Sequence, residues 1–273
     1  TDRHSWEVKL EPLPVSLTTA SFRGANGRTN LEIYYAIPTS PIQSKLKQGR
    51  DAVKIDKGLV IYDDHWNLAG KNTDTIELDV QPGNRYVDYY LAALPPDSFH
   101  IVFNASCRTP AMLNTSRYRV QVEDFSGVDL YISDILLASE IKPSSEKGKF
   151  TRQDLDVVPN PSHNYTINQP VYLYFEVYNL AKNEEQRTNF LIEYTLTLVK
   201  SRKSGLSKLF GFLTGGKSAI TLQTDREGST EFSAEYLAIN VEKNDPGDYE
   251  LLVTVTDKNT GDSVKRKEYL SLY

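Results

Sequence analysis

Apolar residues recur at every second position along most of this chain, and no long segment carries them at helical spacing. A pleated strand with one buried face needs that period of two, so the pattern predicts sheet almost throughout. In the first half the expected strands are Leu31 to Ile37, Leu59 to Tyr62, Thr75 to Val80, Tyr86 to Leu94, His100 to Cys107 and Arg117 to Val122. The Asn-Gly inside Phe22 to Thr29 marks a hairpin turn, and Asp63 to Asn67 marks a second reversal. Composition agrees, with 17 Tyr and 10 Phe against one Met and one Cys. Aromatic side chains suit a half-buried pleated surface.

The turn-rich stretch Glu123 to Gly127 divides the 273 residues into two lengths, each sufficient for its own core. The prediction is an all-β protein of two tandem immunoglobulin-like/β-sandwich domains, 1–126 and 127–273. Strands expected in the second are Leu130 to Ile141, Leu155 to Val158, Val171 to Asn179, Phe190 to Val199, Ala219 to Thr224, Ser229 to Ile239, Tyr249 to Thr256 and Ser263 to Leu272.

Three stretches, Ala20 to Pro38, Val128 to Ile141 and Val157 to Leu180, resemble the C-terminal region of bacterial GWxTD-domain-containing proteins. The most specific element is YLYFEVYNL following a PNP-containing loop. The Gly-Trp-x-Thr-Asp motif that names the family is absent from this sequence. The resemblance implies an exported bacterial protein of the periplasm or cell envelope, with this chain as one part and an upstream region as one partner. It implies no defined activity, and no catalytic residue carries over.

A net charge of −5 argues against broad nucleic-acid binding, which relies on a basic face. No apolar run approaches the ~20 residues that a membrane helix needs. Lone Cys107 excludes an internal disulfide framework and reads as a small buried hydrophobe.

Candidate chemistry is sparse. None of His4, His65, His100 and His163 has the i, i+4 spacing of a helical metal pair, so no metal, cofactor or catalytic residue is expected. Asp257, Asn259, Gly261 and Asp262 alternate like the start of a calcium loop, yet a strand-joining turn demands the same residues. Gly211 and Gly216-Lys217-Ser218 match a phosphate-loop spacing, but the following Ala219 to Thr224 reads as a strand where a helix is required.

Two features point to binding. Tyr172, Tyr174, Glu176 and Tyr178 share the face of their strand opposite Val171, Leu173, Phe175 and Val177, so both faces are largely apolar or aromatic. The tyrosine face is expected either to pack against the N-terminal domain or to bind a partner. The excursion Lys200 to Lys217 carries Lys203 and Lys208 around Leu209, Phe210 and Phe212, with no acid. It is expected to touch a protein partner in the envelope or, peripherally, an anionic membrane surface. The chain thus reads as a non-enzymatic interaction or structural module. The alternative is a carbohydrate- or peptidoglycan-binding module using exposed tyrosines.

Overall fold

A computed structural model describes residues 10–46, 51–202 and 219–273. The chain is all-β with several sheets, and the one helix among the described residues, α1 (Ser40–Gln43), is a single turn. It divides into two compact units that meet between Phe125 and Ser126.

Strands of the first unit are β1 (Glu11–Pro12), β2 (Ser16–Arg23), β3 (Thr29–Pro38), β4 (Ala52–Asp63), β5 (Leu68–Asp79), β6 (Arg85–Leu94), β7 (Asp97–Cys107) and β8 (Met112–Val122). They form a five-stranded sheet in the order β1-β8-β7-β4-β5 and a three-stranded sheet in the order β2-β3-β6. The β2–β3 hairpin turns through Asn26 and Gly27, both at positive φ, and the Arg28 N–H closes it on the Ala25 carbonyl at 3.1 Å. That is the turn an Asn-Gly pair favours, because two consecutive left-handed residues match the strand twist. Leu31, Ile33, Tyr35 and Ile37 of β3 share one core with Ile55, Leu59 and Ile61 of β4 and with Ile101 and Phe103 of β7. Cys107 is buried in the same core.

β4 and β5 extend far beyond the sequence expectation, beginning at Ala52 and Leu68. The missed halves hold Lys54, Asp56, Lys57 and Gly58 on β4 and Lys71, Asn72, Thr73 and Asp74 on β5, polar runs that conceal the alternation. Lys57 lies on the inward side, opposite Asp74 of β5. Lys57 is 6% exposed, with its ammonium 3.2 Å from Asp74, 3.7 Å from Asp88 and 3.3 Å from the Tyr90 hydroxyl. It also lies over the Tyr90 ring at 4.9 Å. Burial pulls the Lys57 pKa down, but Tyr90, Asp74 and Asp88 outweigh it and hold the group above an ordinary lysine. Tyr35 and Tyr86 donate to Asp88 at 3.0 and 2.7 Å, so this half-buried carboxylate is satisfied as well.

Strands of the second unit are β9 (Tyr131–Ile132), β10 (Leu136–Pro143), β11 (Thr151–Arg152), β12 (Leu155–Pro159), β13 (Asn164–Tyr165), β14 (Val171–Tyr178), β15 (Thr188–Ser201), β16 (Ala219–Gly228), β17 (Phe232–Ile239), β18 (Gly247–Asp257) and β19 (Ser263–Leu272). One sheet runs β11-β12-β10-β14-β17, with β9 also on β14, and the other runs β13-β19-β18-β15-β16. Val171, Leu173, Phe175 and Val177 join Ile192, Tyr194 and Leu196 of β15 and Leu251, Val253 and Val255 of β18 in one core. Burying each such side chain is worth ~1.5–3 kcal/mol.

The single strand expected over Leu130 to Ile141 is broken. Three residues, Ser133 to Ile135, stand opposite Phe175 and Glu176 of β14, so β9 and β10 pair with it separately. Buried Ser133 holds this bulge: its N–H donates to the Glu176 carbonyl, and its hydroxyl accepts the Glu176 N–H, both at 2.9 Å.

Asp257, at the end of β18, is 1% exposed. Its carboxylate accepts the N–H of Ala181 at 2.7 Å and that of Asn259 at 2.8 Å. Asn259 in turn donates to the carbonyls of Ala181 and Arg187. The calcium-like spacing therefore serves a turn that pins the loop before β15. Asp257→Ala is expected to leave these donors unmet and to cost the second unit about 1–3 kcal/mol. Urea unfolding followed by probes in each unit checks this, and an unchanged second-unit midpoint would contradict it.

Candidate functional site

The tyrosine stripe is not an exposed platform. Tyr174 and Tyr178 are 0% and 2% exposed, and Tyr172 is half-buried. Glu176 lies between the two buried rings and accepts both hydroxyls, from Tyr174 at 2.8 Å and from Tyr178 at 2.6 Å. Arg152 of β11 covers the Tyr174 ring at 5.3 Å, and Tyr178 stacks on Phe232 of β17 at 6.0 Å. Burial and the Glu176 charge raise the Tyr174 pKa well above its ordinary value, so the phenol stays neutral. In the sequence Glu176 is one polar member of a face; in the structure it is the acceptor that draws the tyrosines in.

Lys203, Lys208, Leu209, Phe210 and Phe212 lie outside the described residues, as does the glycine-lysine-serine spacing at 211–218. Ala219–Gly228, which follows it, is an antiparallel strand on β15. A nucleotide-binding loop opens a helix at that point.

The feature that sequence reasoning missed is on the outer face of the five-stranded sheet. Its inner residues are buried in the core, so the alternate residues share the opposite side. Four cross-strand rows result: Thr75–Asp56–Ser106–Leu113, Thr73–Gly58–Asn104–Thr115, Lys71–Val60–Val102–Arg117 and Leu68–Tyr62–His100–Arg119. A depression of about 750 Å3 lies over the first three, lined by Asp56, Gly58, Lys71, Thr73, Asn104 and Ser106. Gly58 keeps it open, since a Cβ there would meet the Thr73 methyl at 3.3 Å.

At the end of these rows stands Trp66, in the β4–β5 turn. Asp63 builds that turn by accepting the His65 and Asn67 N–H groups at 2.9 and 2.8 Å and the Asn67 side-chain amide at 2.8 Å. These bonds hold the Asp63 carboxyl below its ordinary pKa. The Trp66 N–H bonds back to the Asp63 carbonyl at 3.0 Å, leaving Trp66 at φ 64°, where Gly or Asn is at home. Holding a bulky residue there costs about 1–3 kcal/mol. The indole is 63% exposed and lies flat on His100, with centroids 4.4 Å apart and planes 6° apart. Asp64 receives Arg119 at 2.7 Å and sits 3.6 Å from His100, fixing the stack from below. The sequence clue was present in Asp63-Asp64-His65-Trp66-Asn67, where a tryptophan occupies a turn position that favours glycine.

No protein-family model matches the chain. No curated protein matches it either. Among the described residues no group of three His, Cys, Asp or Glu side chains is placed to hold a metal ion.

A second titratable cluster lies in the other unit, at the loop carrying the PNP sequence. Buried Asn160 folds this loop by donating to the Asn164 carbonyl at 2.9 Å and accepting Ser162 at 2.8 Å. His163 adopts φ 52°, with Nδ1 3.0 Å from the Tyr269 carbonyl and 3.5 Å from Glu268. Burial pushes the His163 pKa down. Burial also raises Glu268 to about 7; nearby Asp134 adds to the rise, while the Tyr269 N–H and Arg266 oppose it.

The folded protein thus keeps the Glu268 proton over a range where the unfolded chain has lost it. The stability this provides is present below the ordinary glutamate range and is lost as pH rises through about 7. His163 acts with the opposite sign, its contribution growing up to the ordinary histidine pKa of about 6.5. Glu268→Gln removes only the first effect. The stability of this variant relative to the natural chain is expected to increase between pH 5 and pH 8 by up to ~3 kcal/mol. Chemical denaturation at several pH values reads the difference, and a pH-independent difference would refute the assignment.

Proposed function

We propose that this chain is a non-enzymatic interaction module of a larger exported bacterial protein, built as two tandem β-sandwiches of which the second is immunoglobulin-like. The sandwich reading is supported by the way both sheets of each unit contribute alternate side chains to a single core. The bacterial envelope setting is supported by the resemblance over Val157 to Leu180, whose loop and strand supply the β12–β13 corner and the doubly buried β14.

One observation carries the binding role: an indole held 63% exposed at strained backbone, stacked on His100 one cross-strand row beyond a surface depression. Large rigid aromatics in such positions dominate binding energetics, because they present area at little entropic cost. Several carboxylates are engaged in holding the fold. Asp257, Glu176, Asp63 and Asp88 each accept at least two hydrogen bonds from neighbouring groups.

The reading predicts that the chain co-sediments with isolated bacterial envelopes and that Trp66→Ala lowers retention at least fivefold while unfolding at the same urea concentration or higher. Equal retention of the two proteins, or no retention of either, would reject it.

A further inference from the structure

The chemistry of the outer face narrows the ligand, on the basis of that proposed binding role. We infer that the Trp66 face of the first unit binds an extended, carboxylate-bearing polysaccharide.

The shape of the face sets the first constraint. From Asp56 to Tyr62 the rows extend six residues along β4, about 20 Å at ~3.3 Å per residue. A run of outward-facing rows with an aromatic ring over the last of them suits a polymer of ring units better than a compact metabolite. It lacks the deep apolar socket in which a protein partner seats a hot-spot side chain. The floor at Gly58 is bare backbone, so a flat ring can lie close to the sheet.

The functional groups set the second. Thr73, Thr75, Asn104, Ser106 and Thr115 point their hydroxyls and amide to the same side. Each such group both donates and accepts hydrogen bonds, as each sugar hydroxyl does. The free side of the Trp66 indole, opposite the His100 stack, offers a negative π-face to the positively polarised C–H groups of a pyranose.

Charge sets the third. Lys71 and Arg117 bracket Val60 and Val102 in one row, three strand spacings or ~14 Å apart. Among the described residues neither has a carboxylate partner, whereas Arg119 is held by Asp64 and Arg108 lies 3.8 Å from Asp56. Two free cations at that separation suit carboxylates borne on spaced sugar units. They suit a nucleic acid poorly, since its binding relies on a broadly basic face and this one also carries Asp56 and Asp64.

The test uses the whole chain in affinity gel electrophoresis and calorimetry against polygalacturonate, alginate and hyaluronate. The probes include methyl-esterified polygalacturonate, which has the same backbone without its charge, and poly(U). The expected result is binding to at least one acidic glycan. Trp66→Ala and Arg117→Ala should each weaken it at least tenfold, and esterification should weaken it likewise. Tyr269→Ala, which removes an exposed aromatic of the second unit, should leave it unchanged. Circular dichroism and urea midpoints confirm that each variant is folded.

Failure to bind any of the three acidic glycans overturns the inference, as does tighter binding to poly(U) or equal binding by Trp66→Ala. Envelope retention without glycan binding would discard the polysaccharide and keep the interaction role. Loss of both would discard the two together.

Discussion

The register of β4 against β5 and β7 is the constraint on which the first unit depends. With side chains alternating across a sheet, Ile55, Leu59 and Ile61 enter the core only if Asp56, Gly58, Val60 and Tyr62 face out. A slip by one residue would bury Asp56 and expose the isoleucines, so hydrophobic burial and the composition of the outer face are a single choice. The same parity drives Lys57 inward. It remains there charged because Asp74, its cross-strand neighbour, and Tyr90 and Asp88 of β6 supply the interactions that water would otherwise provide.

Carboxylates recur as the local organisers of this all-β chain. Asp63 shapes the turn that lifts Trp66, Asp257 ties the end of β18 to the loop before β15, and Glu176 gathers the hydroxyls of Tyr174 and Tyr178. Each accepts bonds from groups that sheet pairing leaves over, at turns, ends and buried faces. A buried donor without an acceptor costs more than a typical hydrogen bond contributes, so these few residues decide where loops and rings can settle. Trp66 is the visible consequence. Without the Asp63 bonds, little would hold a tryptophan at a positive φ.

Much of the sheet was legible in the residues. Alternation located β3, β6, β7, β14, β15, β18 and β19, and Asn26-Gly27 located the first hairpin. The early halves of β4 and β5 were not legible, because Lys57 and Asp74 occupy core-facing positions as a pair and a single sequence shows two polar residues rather than their contact. Nor was the break at Ser133, since a bulge is defined against the partner strand and not within its own. The tyrosine stripe was visible as a pattern, yet its burial depended on Arg152, Glu176 and Phe232, which come from three separate strands.

The sequence by itself determined the β class and most strand positions, because a period of two and the demands of turn residues are local properties. Tertiary structure alone decided which polar residues are buried as partners and which stand on an accessible face. Lys57 and Lys71 are similar as letters in one sequence. Cross-strand pairing places the first between tyrosines and aspartates and leaves the second on an open sheet face beside Gly58. That difference arises from neighbours distant in the chain, through desolvation and charge pairing that no local pattern encodes.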